Sequence, residues 1–198
     1  MIDVRAEIEQ AIATKQASLE LSAVIAAAGE QIVGALRRGN RILICGNGGS
    51  AADAQHFATE LVGRFERERP GVPAHALTTD TSLLTALAND HGYDAVFERQ
   101  VLALGTKGDV LLAISTSGQS ESVVRGVEAA LKREMECIAL VGRGGGRLGR
   151  MRNVTVVCVP AERTCRIQEV HTMVIHIWAQ MVDEAVASAL PPEARATG

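Results

Sequence analysis

The chain has 198 residues, of which 47% are hydrophobic, 22% charged and only 3% aromatic. That length suffices for one domain with a sizeable core, and the scarcity of aromatics leaves packing to Ala, Val, Leu and Ile. A formal net charge of −3 argues against direct binding to nucleic acid or to a membrane surface through bulk electrostatics, yet leaves room for a local phosphate pocket.

Residues 4–38 read as one long helix or two in tandem. Leu21, Val24, Ile25, Ala28, Ile32 and Leu36 recur at helical spacing, and Gly39-Asn40 supplies a stop. So long an apolar face is expected both to cover a sheet and to pack against another subunit. Strand and helix signals then alternate. A strand over 41–45 precedes a helix over 51–64, a charged loop with two prolines over 66–73 and a short strand over 74–77. Helices follow over 82–89 and 94–104, then a strand over 109–114 and a helix over 120–133. The chain closes with a strand over 137–141, a glycine-rich loop over 142–149, a strand over 154–159 and a helix over 163–189. Five short, almost wholly apolar strands separated by helices predict an α/β fold: a doubly wound, five-stranded parallel sheet buried on both faces and flanked by helices. Residues 1–198 read as a single domain, with 1–38 a long N-terminal helical extension and 191–198 a frayed tail.

Cys45, Cys137, Cys158 and Cys165 show no CxxC spacing, and three of them lie in apolar runs where cysteine acts as a small hydrophobe. Neither a disulfide nor a thiolate metal site is expected. The opening residues Met1-Ile2-Asp3-Val4-Arg5-Ala6-Glu7 are too charged for a signal peptide. No stretch reads as the ~20 apolar residues of a membrane helix, so a cytoplasmic location is expected.

The chemistry concentrates in two loops and two helices. In open parallel sheets, ligands bind beyond the carboxyl ends of the strands. The first such end is Gly46-Asn47-Gly48-Gly49-Ser50, where glycines let backbone approach a ligand closely and Ser50 is placed to cap the next helix. That helix carries Asp53, His56 and Glu60 at relative positions 0, 3 and 7, which fall within roughly 60° of one another and so share a face. The second end is Ser115-Thr116-Ser117-Gly118-Gln119-Ser120. Three consecutive hydroxyls, a glycine and a helix N-terminus make an anion cradle beyond what helix capping by Ser120 requires. On the last helix, Ile167, Val170, Val174, Trp178, Met181 and Val182 form a sheet-facing stripe, with Gln168, Thr172, His176 and Ala179 off it. His176, in a very apolar stretch, would be an ordinary core histidine were it not matched with the His56/Glu60 helix. His171 lies nearer the stripe and reads as structural. Gly144-Gly145-Gly146 lacks a GxGxxG pattern and reads as a flexible loop. The sign-alternating run Arg64 to Arg69 reads as a solvated loop, although Arg64 could reach a phosphate.

Three blocks carry a family resemblance: residues 46–56, Ile114-Ser115-Thr116-Ser117-Gly118, and Arg166-Ile167-Gln168-Glu169-Val170-His171. Ala76-Leu77-Thr78-Thr79-Asp80 and Ala88-Asn89-Asp90 fit as well. Together, in this order and spacing, the sequence resembles the phosphoheptose isomerases of the sugar-isomerase (SIS) fold family, whose core is flavodoxin-like, and it does so over essentially its whole length. The resemblance implies conversion of sedoheptulose 7-phosphate to D-glycero-D-manno-heptose 7-phosphate, the first step toward the heptose of lipopolysaccharide and related surface glycans. It implies Glu60 and His176 as the catalytic pair, and one zinc ion per subunit held by His56, Glu60, Gln168 and His176. It places Asn47, Gly48, Gly49, Ser50, Asp53, Glu60, Asn89, Asp90 and Gln168 against the sugar, and Ser115, Thr116, Ser117 and Ser120 against the phosphate. It also implies a homotetramer with sites completed across interfaces. Two points stand against a simple transfer: Gln168 and His176 are ~12 Å apart along a straight helix, and Cys165 stands where some relatives carry an aspartate.

A second reading is a non-catalytic relative that binds a DNA-replication initiator, which the segment Arg64 to Pro70 resembles. That relative lacks the acid and histidine matched here by Glu60 and His176. A third is a sugar-phosphate sensor without turnover, which would have little use for an acid–base pair.

Overall fold

The computed structural model describes residues 1–189; the expected tail over 191–198 lies outside the described residues. Five strands, β1 (Ile42–Gly46), β2 (Ala74–Ala76), β3 (Val110–Ser115), β4 (Glu136–Val141) and β5 (Val154–Cys158), form one sheet. All neighbours are parallel, in the order β2-β1-β3-β4-β5. The helices are α1 (Val4–Ala17), α2 (Ser22–Arg37), α3 (Gly49–Val62), α4 (Thr81–His91), α5 (Val96–Leu104), α6 (Glu121–Lys132) and α7 (Thr164–Ala189). The expected architecture is present, with boundaries shifted by one or two residues at most ends.

The strands read as continuous apolar runs because both sheet faces are covered. Ile42, Ile44, Leu112, Ile114, Ile138, Leu140 and Val157 face α2, α3 and α7, where Ile32, Phe57, Leu61 and Trp178 are fully buried. The alternating residues Leu43, Cys45, Leu111, Ala113, Cys137, Ala139 and Val141 face α5 and α6. Burial raises the Cys45 thiol pKa far above its ordinary range and that of Cys137 to about 12, so both act as packing groups.

Of the two readings of the N-terminus, tandem helices are found: a 3-10 turn, Ser18–Leu21, separates α1 from α2. The segment Val4–Arg37 is long and apolar enough, by length and composition, to cross a membrane, which corrects the expectation that no stretch qualifies. Ile25, Ala28, Ile32 and Ala35 of α2 are instead buried in the core cluster beneath α7, and Trp178 Nε1 donates to the Ile25 carbonyl at 2.9 Å. α1 buries no residue. Glu7 joins it to the start of α7 through ion pairs with Arg166 and with Arg163 just before the helix, each at 3.0 Å.

In α7 the stripe Ile167, Val170, Val174, Trp178 and Val182 is fully buried, as expected, whereas Met181 is only partly so. Ala179, expected off the stripe, is also fully buried. α7 packs against α2 and α3 as well as the sheet, so its apolar face is wider than one stripe.

Candidate functional site

The strand order reverses between β1 and β3, and at such a switch point the two neighbouring loops splay apart to leave a crevice. Both donor-rich loops leave from there, one from each strand. After β1 the chain turns through Gly48, whose φ of 55° and ψ of −123° belong to glycine. Gly48 therefore occupies the N-cap position of α3, and Ser50, expected there, is buried in the first turn instead. Close approach governs the next residue too: a Cβ on Gly49 would collide with the Gln168 amide, so Gly49 lets α7 lay Gln168 directly over the turn.

The second loop is joined to the first. Asn47 Nδ2 donates to Ser120 Oγ at 2.7 Å and to Ser122 Oγ at 3.0 Å, while Tyr93 Oη donates to Asn47 Oδ1 at 2.7 Å. Ser120 sits at the N-cap of α6 but its side chain makes no capping bond; its hydroxyl is engaged by Asn47. Ser117 Oγ accepts from Gln119 N at 3.2 Å. Ser115 is buried and its carbonyl accepts from Gly118 N, closing the turn at 3.1 Å. Thr116 and Ser117 remain half-buried, and the first amides of α6, which lack intrahelical acceptors, face the same loop. Asn89 and Asp90 sit at the end of α4, where Asn89 Nδ2 donates to Asp90 Oδ1 at 2.8 Å; among the described residues neither bonds to the two loops.

Gly144-Gly145-Gly146 departs from the expected flexible loop. These glycines and Gly118 have φ between 57° and 86°, and a Cβ on Gly118 or Gly146 would overlap the other loop's backbone. Leu148 N donates to the Gly118 carbonyl at 3.1 Å. The glycine loop is a brace behind the serine loop, packed backbone to backbone.

Asp53, His56 and Glu60 line the face of α3 that meets α7. Asp53 Oδ1 accepts from Thr172 Oγ1 at 3.2 Å, and its Oδ2 is buried without a partner. Burial raises the Asp53 pKa, opposed by the Thr172 hydrogen bond and by His56. His56 Nε2 lies 3.0 Å from Glu60 Oε1 and 3.3 Å from His176 Nε2, with the two rings edge-on at 4.9 Å. Phe65 stacks on the outer face of His176 at 5.4 Å. Glu60 and His176, one from each helix, thus converge on His56 Nε2. Gln168 stands about two turns earlier on α7, over Gly49, and does not join them.

His171 is fully buried; its Nε2 donates to the Val141 carbonyl at 3.3 Å, and burial pushes its pKa down to about 4. Cys165 is free and exposed on the first turn of α7. Arg64 pairs with Glu68 at 3.6 Å in the exposed loop. Arg69, expected in solvent with the rest of that run, is buried and bonded to Asp183 at 2.6 Å. Sequence reasoning passed over Tyr93, Phe65, Arg69 and Asp183. Each acts on the site through a partner far along the chain, and only Tyr93, three residues after Asp90, offered a local hint.

Among the described residues no group of three or more His, Cys, Asp or Glu is gathered as a formed metal site. The donor chemistry nevertheless suits a cation. The two histidines turn their Nε2 atoms toward each other, and that of His56 also faces the Glu60 carboxylate, a cluster of lone-pair donors. Two nitrogens bound at ~2.0–2.1 Å to a tetrahedral zinc stand about 3.3 Å apart, which is the spacing the two histidines show.

A parallel sheet with two donor-lined loops at its switch point and an acid–imidazole set between two helices defines a sugar-isomerase-type protein, and the sequence matches the SIS domain family over residues 6–142. The phosphoheptose isomerase of Methylibium petroleiphilum is 57% identical over 170 residues, covering 85% of each chain. The phosphoheptose isomerase structure from Neisseria gonorrhoeae is 46% identical with a TM-score of 0.87, covering 91% of this chain and 97% of that one. The one from Francisella tularensis is 38% identical with a TM-score of 0.88, covering 91% and 96%. The chain belongs to the phosphoheptose isomerase family, and it is an isomerase.

Proposed function

We propose that the chain interconverts sedoheptulose 7-phosphate and D-glycero-D-manno-heptose 7-phosphate, with the serine loop taking the phosphate and the α3–α7 face taking the carbonyl end. The convergence of Glu60, His56 and His176 carries this reading. A ketose becomes an aldose when a proton leaves C1, an enediol forms, and a proton is delivered to C2. Glu60 is the acceptor of the C1 proton. His176 serves as the acid, its ring backed by Phe65 and its Nε2 turned toward His56. Ser115, Thr116, Ser117 and Ser120, with the first amides of α6, bind phosphate; Asn47 and Gln168 orient the sugar between them.

The donor set of His56, Glu60 and His176 would hold zinc, and Gln168, about two turns earlier on α7, would join it only by leaving its place over Gly49. Bound there, the ion would polarise the carbonyl and stabilise negative charge on the enediolate oxygens. Glu60 then has two competing tasks, ligand and base, so the ion is expected to be weakly held. The apolar residues left exposed on α1, Ile8 and Ile12 among them, support a homotetramer, and a phosphorylated sugar substrate suits a cytoplasmic enzyme. The initiator-binding alternative finds no support among the relatives reported above.

Purified protein incubated with sedoheptulose 7-phosphate, with zinc or with chelator, tests this. Aldose formation that chelator weakens is the expected outcome. Turnover indifferent to chelator would remove zinc and keep the isomerase; no turnover in any condition would overturn the isomerase itself.

A further inference from the structure

The buried pair Arg69–Asp183 is used by nothing in the reaction as described, yet one of its bonds ends on the backbone of Glu60 and two others on the amides that follow Phe65. The Arg69 side chain is fully buried and that of Asp183 nearly so. Arg69 Nε donates to Asp183 Oδ1 at 2.6 Å, Nη2 donates to the Glu60 carbonyl at 2.7 Å, and Nη1 donates to the carbonyls of Leu61 at 2.9 Å and Pro70 at 3.1 Å. The last carbonyls of a helix have no intrahelical partner, and here one guanidinium caps two of them at the C-terminal turn of α3, including that of Glu60. Asp183 uses its other oxygen on the loop: Oδ2 accepts from Glu66 N at 2.9 Å and Arg67 N at 3.0 Å. Those amides directly follow Phe65, whose ring stacks on His176. Asp183 lies seven residues after His176 on α7, two turns along the same face.

We infer that Arg69 and Asp183 are positioning residues for the isomerisation: one buried ion pair fixes the backbone under Glu60 and the ring that backs His176, and so sets the geometry between base and acid. This rests on the isomerase reading above. A loop stapled for stability alone would satisfy its ion pair anywhere along 63–72. This one places its donors on the carbonyl of Glu60 itself and its acceptor on the turn that aims Phe65. Small displacements of reacting groups are costly to rate while leaving substrate contacts elsewhere intact. The phosphate loop, on the far side of the crevice, shares no bond with the pair.

Arg69→Lys keeps the charge but cannot span Asp183 and three carbonyls at once; Asp183→Asn keeps the shape and loses the charge. Both are expected to lower kcat about tenfold or more with KM within about threefold of wild type. Val110→Ala, a core truncation at the opposite end of the sheet, controls for lost stability and is expected to keep kcat within about twofold when all are assayed well below their unfolding temperatures. Equal kcat in Arg69→Lys, Asp183→Asn and Val110→Ala would overturn the inference. Should the ion-pair variants not fold, Phe65→Leu leaves the pair intact and removes the ring. Loss of kcat there supports the inference, and kcat unchanged within about twofold overturns it. Should wild-type protein show no turnover, the isomerase reading fails by itself. The lock is then judged by amide hydrogen exchange at 63–67 in Asp183→Asn: faster exchange supports it and unchanged protection overturns it.

Discussion

Ser117 shows how a single hydroxyl can be both local structure and binding site. Its Oγ accepts from Gln119 N, shaping the turn that presents the α6 amides. Removing one such hydrogen bond costs ~1 kcal/mol, so Ser117→Ala is expected to raise KM for the phosphorylated sugar about fivefold with little change in kcat. Steady-state kinetics checks this, and an unchanged KM would move the phosphate elsewhere. The residue scale is also where the sequence was most and least legible. Asp53, His56 and Glu60 share a face because helical geometry is local, so their meeting with α7 could be read in advance. Arg69 and Asp183, 114 positions apart, could not be paired by any local rule, and a charged run that alternates in sign has a solvated loop as its default. Ser50 misled for a related reason: its capping chemistry was sound, but glycine conformation at Gly48 started the helix earlier.

Among the elements, α7 does most to connect core and site. It carries Gln168, Thr172 and His176 toward α3 while burying His171 against β4. With a native pKa of about 4, below the ordinary 6.5, His171 stays neutral when folded. Between about pH 6.5 and 4 the unfolded chain therefore binds the extra proton, and stability rises with pH through that window. Its full contribution is present above about pH 6.5 and is lost as pH falls to about 4, a change on the order of 3 kcal/mol. His171→Leu gives up the bond to Val141 but also this proton linkage. Urea midpoints measured from pH 7 to 4 are expected to fall less steeply in the variant; parallel curves would show that His171 is not the group responsible. Element existence and order were legible because apolar strands and amphipathic helices announce themselves by period. The brace formed by residues 142–149 was not, since glycines that permit backbone-to-backbone packing look in sequence like glycines that permit motion.

At the scale of the whole molecule, two observations concern the same surface. α1 buries nothing, and Val4, Ile8 and Ile12 remain exposed on it, as does Ile2 just before it. The long N-terminal segment that qualified by composition as a membrane span is divided between a core-covering half, α2, and this uncovered half. We propose that copies associate through α1 into the homotetramer, which would cover the exposed half, as apolar faces of this kind mark interfaces. Ile8→Glu combined with Ile12→Glu is expected to shift the protein from tetramer to smaller species by light scattering after size exclusion, while circular dichroism at 222 nm stays close to wild type. A tetramer that survives both charges would place the interface elsewhere.

In the proposed reaction, Glu60 moves the proton that turns ketose into aldose. Sedoheptulose 7-phosphate given to wild type and to Glu60→Gln, with folding of both checked by their thermal transitions, tests it most directly. Turnover in wild type and a loss of about 10³-fold in the variant, the size of a missing general base, are the expected results. A Glu60→Gln enzyme working at the wild-type rate would contradict that role.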